Sequence, residues 1–156
     1  MTESAERIYK LTNKLRSICG TESPRKICEC MKIPIVRCEL PEKTNAFLYS
    51  NGEGYAIIVN TSLQEDMIDY CIAHELGHMM LHGAVNALFL SESTYMSLGK
   101  YEREADLFAA FLILGNEMDI SSGSVTIDSL SSESGLPRKV AKLWAENCLC
   151  GIEVQI

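Results

Sequence analysis

All three histidines of the 156-residue chain lie in one short segment, HELGHMMLH, which runs from His74 to His82. The first five residues of this segment form an HExxH pattern. Residues four apart on an α-helix lie on one face, one turn apart, so the imidazoles of His74 and His78 can bind a single ion. The segment therefore predicts a helix that carries two ligands of a metal ion, and zinc suits such ligands.

Glu75 follows the first histidine and lies about 100° around the helix from it. That direction is unsuitable for a third ligand, but it allows the carboxylate to take a proton from a water molecule at the ion. Glu75 is therefore predicted to be the general base. A chance HExxH with solvated or core histidines is the alternative. The capped helix, the preceding apolar strand and Gly77, where a neighbouring backbone could come close, all disfavour it.

A hydrolytic zinc site needs a third protein ligand and one open position. No other histidine exists, so the candidates are carboxylates in the helix-forming segment 101–110. Glu102 and Asp106 share one helical face with two alanines, which would allow close approach to the histidine helix. We predict that Glu102 binds the metal and that Asp106 accepts the outward N–H of a ligand imidazole. In the alternative, both are ordinary solvated carboxylates.

Glu104 is the runner-up ligand. It ranks below Glu102 because its helical face carries larger side chains that would hold the two helices apart, namely Tyr101, Phe108 and Phe111. His82 continues the four-residue spacing, but it lies about 12 Å along the axis from the first histidine, too far for one tetrahedral ion. A supporting role is predicted for His82, with a surface histidine as the alternative. The oxyanion could be stabilised by a tyrosine, and the candidates are Tyr55, Tyr95 and Tyr101.

Hydrophobic periodicity and end signals predict helices over 4–19, 23–31, 63–82, 100–114, 127–132 and 137–148. Strands are predicted over 33–38, 46–49 and 55–59, with a turn at Asn51-Gly52. A capping box formed by Ser62 and Glu65 is expected to begin the histidine helix. The predicted fold class is α+β, with a small mixed sheet packed on the histidine helix and the Glu102 helix, and a helical C-terminus.

Length and composition fit one soluble domain over residues 1–156. Its C-terminal segment, about 124–149, resembles a helix-turn-helix, for which plain packing is favoured over DNA reading. The net charge of −7 disfavours direct binding to nucleic acid. No apolar run approaches the roughly 20 residues that span a bilayer. The odd number of cysteines and the lack of an export signal predict reduced thiols and a cytoplasmic location.

The motif pair HELGHMMLH and EREADLFAAFLIL resembles the ImmA/IrrE family of metallopeptidases. The resemblance implies a minimal zincin-like, more narrowly gluzincin-like, domain with zinc bound by His74, His78 and Glu102. It also implies a substrate class, helix-turn-helix repressors of the Xre/Cro type, whose cleavage induces prophages, integrative elements or stress genes. One departure is that the family's ligand helix usually ends in a Leu-Leu-x-Pro-like segment, whereas Gly115 could end the helix here.

The predicted function is a zinc-dependent endopeptidase that cleaves an Xre-type repressor, with no direct partner among nucleic acids or membranes. An extended peptide would pair with an exposed sheet edge, expected at 55–59. One alternative is a non-catalytic module, braced by zinc, that inactivates a repressor by binding it. Another is a DNA-binding regulator that contacts phosphates through Arg138, Lys139 and Lys142.

Overall fold

The computed structural model describes residues 1–83, 95–115 and 125–148, and side chains from residue 98 onward in the second range. Within these ranges the chain forms six helices and three strands, which confirms the predicted α+β class with a small mixed sheet. The elements, in chain order, are α1 (Glu3–Cys19), α2 (Pro24–Cys30), β1 (Ile35–Cys38), β2 (Ala46–Ser50), β3 (Tyr55–Asn60), α3 (Glu65–His82), α4 (Tyr95–Leu114), α5 (Ile127–Ser134) and α6 (Arg138–Asn147).

The sheet places β3 in the centre, parallel to β1 and antiparallel to β2. The prediction that residues 55–59 form an exposed edge is therefore wrong, and the edges are β1 and β2. The physical reason is the apolar character of β3, since Ile57 and Val59 are fully buried and a central strand is the one covered most completely.

The outward edge of β2 follows from the register of the sheet. Ile57 pairs with Leu48 of β2, but its N–H donates to the Pro34 carbonyl on the β1 side at 2.9 Å. The pair of Ile57 and Leu48 is therefore one of the non-hydrogen-bonded pairs of the antiparallel ladder. It follows that the backbone N–H and C=O of Leu48 point away from β3.

Helices α3 and α4 pack closely at Gly77. A Cβ atom at this position would lie 3.2 Å from the Cα of Ala105 and 3.1 Å from Cδ1 of Phe108. The expectation that a neighbouring backbone approaches Gly77 is met. The expectation that Phe108 would hold the helices apart is wrong, because the missing side chain of Gly77 makes room for the fully buried Phe108 ring.

The start of α3 differs from the prediction. Gln64 is the N-cap and its side chain makes no capping hydrogen bond, so the expected capping box of Ser62 and Glu65 is absent. The reason lies in Asn60, whose buried side chain accepts a hydrogen bond from the Ser62 N–H at 3.1 Å and donates to the Thr44 carbonyl at 2.8 Å. Ser62 therefore belongs to a turn that is organised around Asn60. The helix begins three residues after Ser62.

The C-terminal helices pack against the rest of the domain at both ends. Gly135 ends α5 in the left-handed conformation, with φ of 71°, and a Cβ there would collide with the backbone carbonyl of Asp66 in α3. The indole N–H of the fully buried Trp144 in α6 donates to the Gly115 carbonyl at 2.7 Å. Gly115 follows the last residue of α4 with φ of 73°, as expected for a glycine that ends a helix. No helix within the described ranges is long and apolar enough to cross a bilayer.

Candidate metal centre

A column of aromatic and imidazole rings runs along one face of α3 at four-residue intervals. It consists of Tyr70, His74, His78 and His82, and successive ring centroids lie 5.8, 4.7 and 5.7 Å apart. The column arises because residues four apart lie on the same face of a helix with 3.6 residues per turn, one turn above each other. The face of α3 that carries the column is turned toward α4.

His74, His78 and Glu102 bring three potential ligand groups together in the described part of the chain. The two Nε2 atoms lie 3.1 Å apart, and the Glu102 carboxylate oxygens lie 3.3 Å from His74 Nε2 and 3.2 Å from His78 Nε2. Ligands on a tetrahedral ion with bonds of about 2.0–2.1 Å are about 3.3–3.4 Å apart, so this donor set fits zinc. The Glu102 side chain is 52% exposed, so one side of the cluster is open to solvent.

The Glu102 carboxylate and the His74 imidazole of the cluster shift each other's pKa toward the charged forms. Hydrogen bonds with the two imidazoles hold the pKa of Glu102 well below its usual range, against the opposing effect of burial. Burial acts to lower the pKa of His74, but hydrogen bonds to Asp106 and Glu102 prevail and raise it to about 9. A carboxylate that stays ionised beside two nitrogen donors is well suited to a divalent cation.

Asp106 lies behind His74 and connects three helices. Its Oδ1 lies 2.9 Å from His74 Nδ1 and accepts a hydrogen bond from the Tyr70 hydroxyl at 2.8 Å, while its Oδ2 lies 3.2 Å from the Lys139 ammonium of α6. Burial would raise the pKa of Asp106, yet the hydrogen bonds from His74 and Tyr70 keep it lowered. An ionised Asp106 favours a proton on Nδ1 of His74, which leaves Nε2 free to bind a cation.

Tyr70 is a site residue that sequence reasoning missed. Its pKa is raised mainly by burial and also by the adjacent Asp106 carboxylate. The phenol therefore stays protonated and donates a hydrogen bond to Asp106. The signal that could have identified it is its position four residues before His74, on the same helical face. The tyrosines weighed instead were Tyr55, Tyr95 and Tyr101.

Glu75 lies beside the cluster on the β2 side. Burial raises the pKa of its carboxyl, while the neighbouring imidazoles of His74 and His78 act in the opposite direction. The backbone of Leu48, whose N–H points out of the β2 edge, faces the Glu75 carboxylate and also acts to lower its pKa. A carboxyl whose pKa is moved upward toward neutral pH is suited to proton transfer.

Glu104 and His82 lie together away from the cluster. Glu104 accepts a hydrogen bond from the Ser4 hydroxyl at 3.0 Å, and its carboxylate is 3.8 Å from His82 Nε2. His82 is also 3.3 Å from the Tyr101 carbonyl, and its side chain is only 8% exposed, which excludes a surface histidine. The ring of Tyr101 packs against His82, whereas the side chain of Tyr95 lies outside the described residues.

Comparison with known proteins identifies the family of the chain. Residues 28–130 match the family profile described as the IrrE N-terminal-like domain, a peptidase family. The chain is 28% identical over 125 residues to the "Uncharacterized immunity region protein 2" of Bacillus phage phi105, covering 79% of each chain. It is 31% identical over 112 residues to "Metallopeptidase ImmA" of Bacillus subtilis (strain 168), covering 69% of this chain and 65% of that protein. The matched region contains all of α3 and α4, and the chain belongs to the ImmA/IrrE family of metallopeptidases.

Proposed function

We propose that the protein is a zinc-dependent endopeptidase, with zinc held by His74, His78 and Glu102. The observation that carries this proposal is the convergence of two imidazole nitrogens and one carboxylate within 3.1–3.3 Å of one another, with one side of the cluster open. The described residues contribute three members to the cluster, the number typical of catalytic sites, whereas structural sites have four. Zinc, when bound, polarises a peptide carbonyl and lowers the pKa of water.

Glu75 is the general base of the proposed reaction. Its carboxylate takes the proton of the attacking water and delivers it to the amine of the leaving peptide. The raised pKa of Glu75 favours both steps, because a carboxyl with a pKa nearer to neutral pH accepts a proton more readily and still releases it.

Asp106 and Tyr70 position His74 in this proposal. Asp106 keeps the proton of His74 on Nδ1, and the Tyr70 hydroxyl fixes the carboxylate in the orientation that makes this contact. Neither residue needs to touch the substrate. His82 and Glu104 have a supporting role at the end of α3, where they connect it to α1 and α4.

The edge of β2 is the proposed binding strand for an extended peptide. The Leu48 carbonyl points outward and the Leu48 N–H faces Glu75, so a peptide paired with the free backbone groups of this edge would pass the base. Phe47 and Tyr49 on the same strand are 39% and 50% exposed and offer apolar contact area. The peptide would therefore add a fourth strand to the sheet on the side of β2.

The proposed substrate is a helix-turn-helix repressor of the Xre/Cro type that controls genes of a mobile element or of a stress response. The names of two relatives support this context, since one is an immunity region protein of a phage and the other is a metallopeptidase. We also propose a cytoplasmic location, where such a repressor would act. Five cysteines of the described ranges, from Cys19 to Cys71, are free thiols, which suits a reducing compartment.

The structure offers little support for direct DNA binding by α6. Arg138 lies 2.7 Å from the Asp128 carboxylate, and Lys139 lies 3.2 Å from Asp106. Two of the three cations considered for phosphate contacts therefore already face carboxylates. The net charge of −7 adds to this argument, because affinity for DNA depends mainly on the neutralisation of phosphates.

The test of this function is Glu75→Gln, assayed on purified candidate repressors of the Xre/Cro type. We expect cleavage by the zinc-loaded variant to fall by about 10²-fold or more, because general-base catalysis contributes about 10²–10⁴-fold. Zinc content, measured by mass spectrometry, should stay at the wild-type level. Glu53→Gln, in the exposed turn between β2 and β3, is the control and should cleave normally. Equal cleavage by Glu75→Gln and wild type would refute the mechanism.

A further inference from the structure

A groove of about 510 Å³ opens between α4 and α6, beside the candidate metal centre. Glu102 and Asp106 contribute to its α4 wall, and Lys139 and Lys142 contribute to its α6 wall. Glu102 lines the groove and is also a member of the metal cluster, so the groove lies next to the cluster. A peptide whose scissile bond lies at the cluster would place a nearby residue in the groove.

The charges that line the groove are paired with one exception. Lys139 faces the buried Asp106 at 3.2 Å, and Arg103 faces Glu146 at 3.9 Å. Glu102 is held by the two imidazoles of the cluster. Among the residues that the structure describes, no carboxylate forms an ion pair with Lys142, which lies three residues after Lys139 on the exposed side of α6.

From this arrangement we infer that the groove is a subsite for a carboxylate of the peptide substrate and that Lys142 recognises it. The inference rests on the proposed peptidase function. An anionic group fits because Glu102 is engaged by the metal cluster, and the other charged residues of the lining, three cationic and two acidic, leave one positive charge. A cationic substrate residue would meet Lys142 as a like charge.

The carboxylate could be the side chain of an aspartate or glutamate, or the C-terminus of a peptide. Both present the same pair of oxygens to the ammonium of Lys142. Because Lys142 is exposed to solvent, the selectivity should be modest, about two- to fivefold, as for other exposed ion pairs. Lys142 is therefore a specificity residue, distinct from the residues that carry the reaction.

The experiment uses the zinc-loaded full chain and a library of synthetic peptides of mixed sequence, with cleavage sites read by mass spectrometry. The best cleaved peptide is then remade with Glu, Gln or Lys at each position near the scissile bond, and with a free or an amidated C-terminus. Wild type should prefer a carboxylate at one location by about two- to fivefold in kcat/KM. Lys142→Gln should lose this preference, and Lys142→Glu should prefer Lys there.

Binding of the same peptides to Glu75→Gln, measured by fluorescence anisotropy, gives a readout that is independent of turnover. Lys26→Gln, an exposed lysine of α2, is the matched control and should keep the wild-type preference in both assays. A preference that follows Glu assigns the carboxylate to a side chain, and one that follows the free acid assigns it to the C-terminus. If wild type and Lys142→Gln cleave with the same selectivity, the inference is wrong and the peptidase function stands. If wild type cleaves none of the peptides and not the repressor, both are wrong.

Discussion

Asp106 shows how much of the site depends on one buried carboxylate. One of its oxygens serves both His74 and Tyr70, while the other faces Lys139. A buried ionised carboxylate is costly unless such partners compensate for the lost hydration. The same contacts that make Asp106 tolerable in the interior also fix the ring of His74, so stability and metal binding are coupled at this residue.

The contact between Tyr70 and Asp106 leads to a prediction for zinc affinity. Tyr70→Phe removes the hydroxyl that orients Asp106, and loss of such an outer partner costs about 10–100-fold in metal affinity. We expect a decrease of about tenfold, measured by competition with a chromophoric zinc chelator. Tyr49→Phe, which removes a hydroxyl from a half-exposed strand position, is the control and should bind zinc like wild type.

Residues within one helix were easier to predict than residues that meet across the fold. The positions of His74, His78 and Glu75 follow from helical spacing alone. The choice of Glu102 over Glu104 also used a helical face, and it remains a prediction until a metal-loaded protein tests it. Tyr70 and Lys139 could not be predicted, because an isolated tyrosine or lysine on a helix has many ordinary uses until the fold brings Asp106 beside it.

The left-handed glycines that end α1 and α5 differ in their surroundings. Gly20 follows α1 with φ of 63° and has no atom within 4 Å of where a Cβ would lie. Gly135 follows α5 with φ of 71°, and its Cβ would collide with the Asp66 carbonyl of α3. The pair therefore separates the conformational cost of a side chain from the steric cost of packing.

Replacement of each glycine by alanine should have unequal effects on stability. Gly20→Ala should lower the free energy of unfolding by about 1 kcal/mol, the cost of a left-handed alanine. Gly135→Ala should lower it by about 2–4 kcal/mol, because α5 must also move away from α3. Urea denaturation monitored by circular dichroism measures both values. Equal losses would show that the Asp66 contact can relax without cost.

The sequence predicts which segments form helices and strands better than it predicts which of these elements pack or pair with each other. Periodicity located the helices and strands within a few residues, although α4 begins five residues before the predicted start at 100. The order of the strands was missed, because pairing across the sheet depends on contacts that are distant in sequence. The capping box failed for a similar reason, since Ser62 is engaged by Asn60 of the preceding strand.

The metal cluster connects α3 to α4, so zinc should stabilise the whole domain. At free zinc about 100-fold above Kd, binding adds about 2.7 kcal/mol to the free energy of unfolding. For a chain of this size that corresponds to a rise in Tm of about 5–10 °C, which a chelator should reverse. Differential scanning calorimetry with and without zinc measures the change.

Two glutamate variants test which carboxylate is the third zinc ligand and therefore responsible for this stabilisation. Glu102→Gln should lose most of the rise in Tm caused by zinc, because a neutral amide is a weak ligand. Glu104→Gln can lower Tm by itself, since Glu104 is buried beside Ser4 and His82, but it should keep the rise caused by zinc. The opposite pattern would assign the third ligand to Glu104.

The fold class and the family were predictable because neither depends on the detailed contacts between side chains. An α+β class with a mixed sheet follows from the order of the elements, and the family follows from two motifs; both predictions are confirmed. The way the helices meet was not predictable. Close packing at Gly77 brings Phe108 into the interface between α3 and α4, where helix-face reasoning had expected an obstruction.

The ring column of α3 restricts how this helix can change during evolution. Tyr70, His74 and His78 act together only while each lies four positions before the next. An insertion or deletion of one residue between Tyr70 and His74 would turn one side of the helix by about 100° relative to the other. His74 and Tyr70 could then no longer reach Asp106 together. We therefore expect α3 to accept exchanges of side chains far more readily than changes of length.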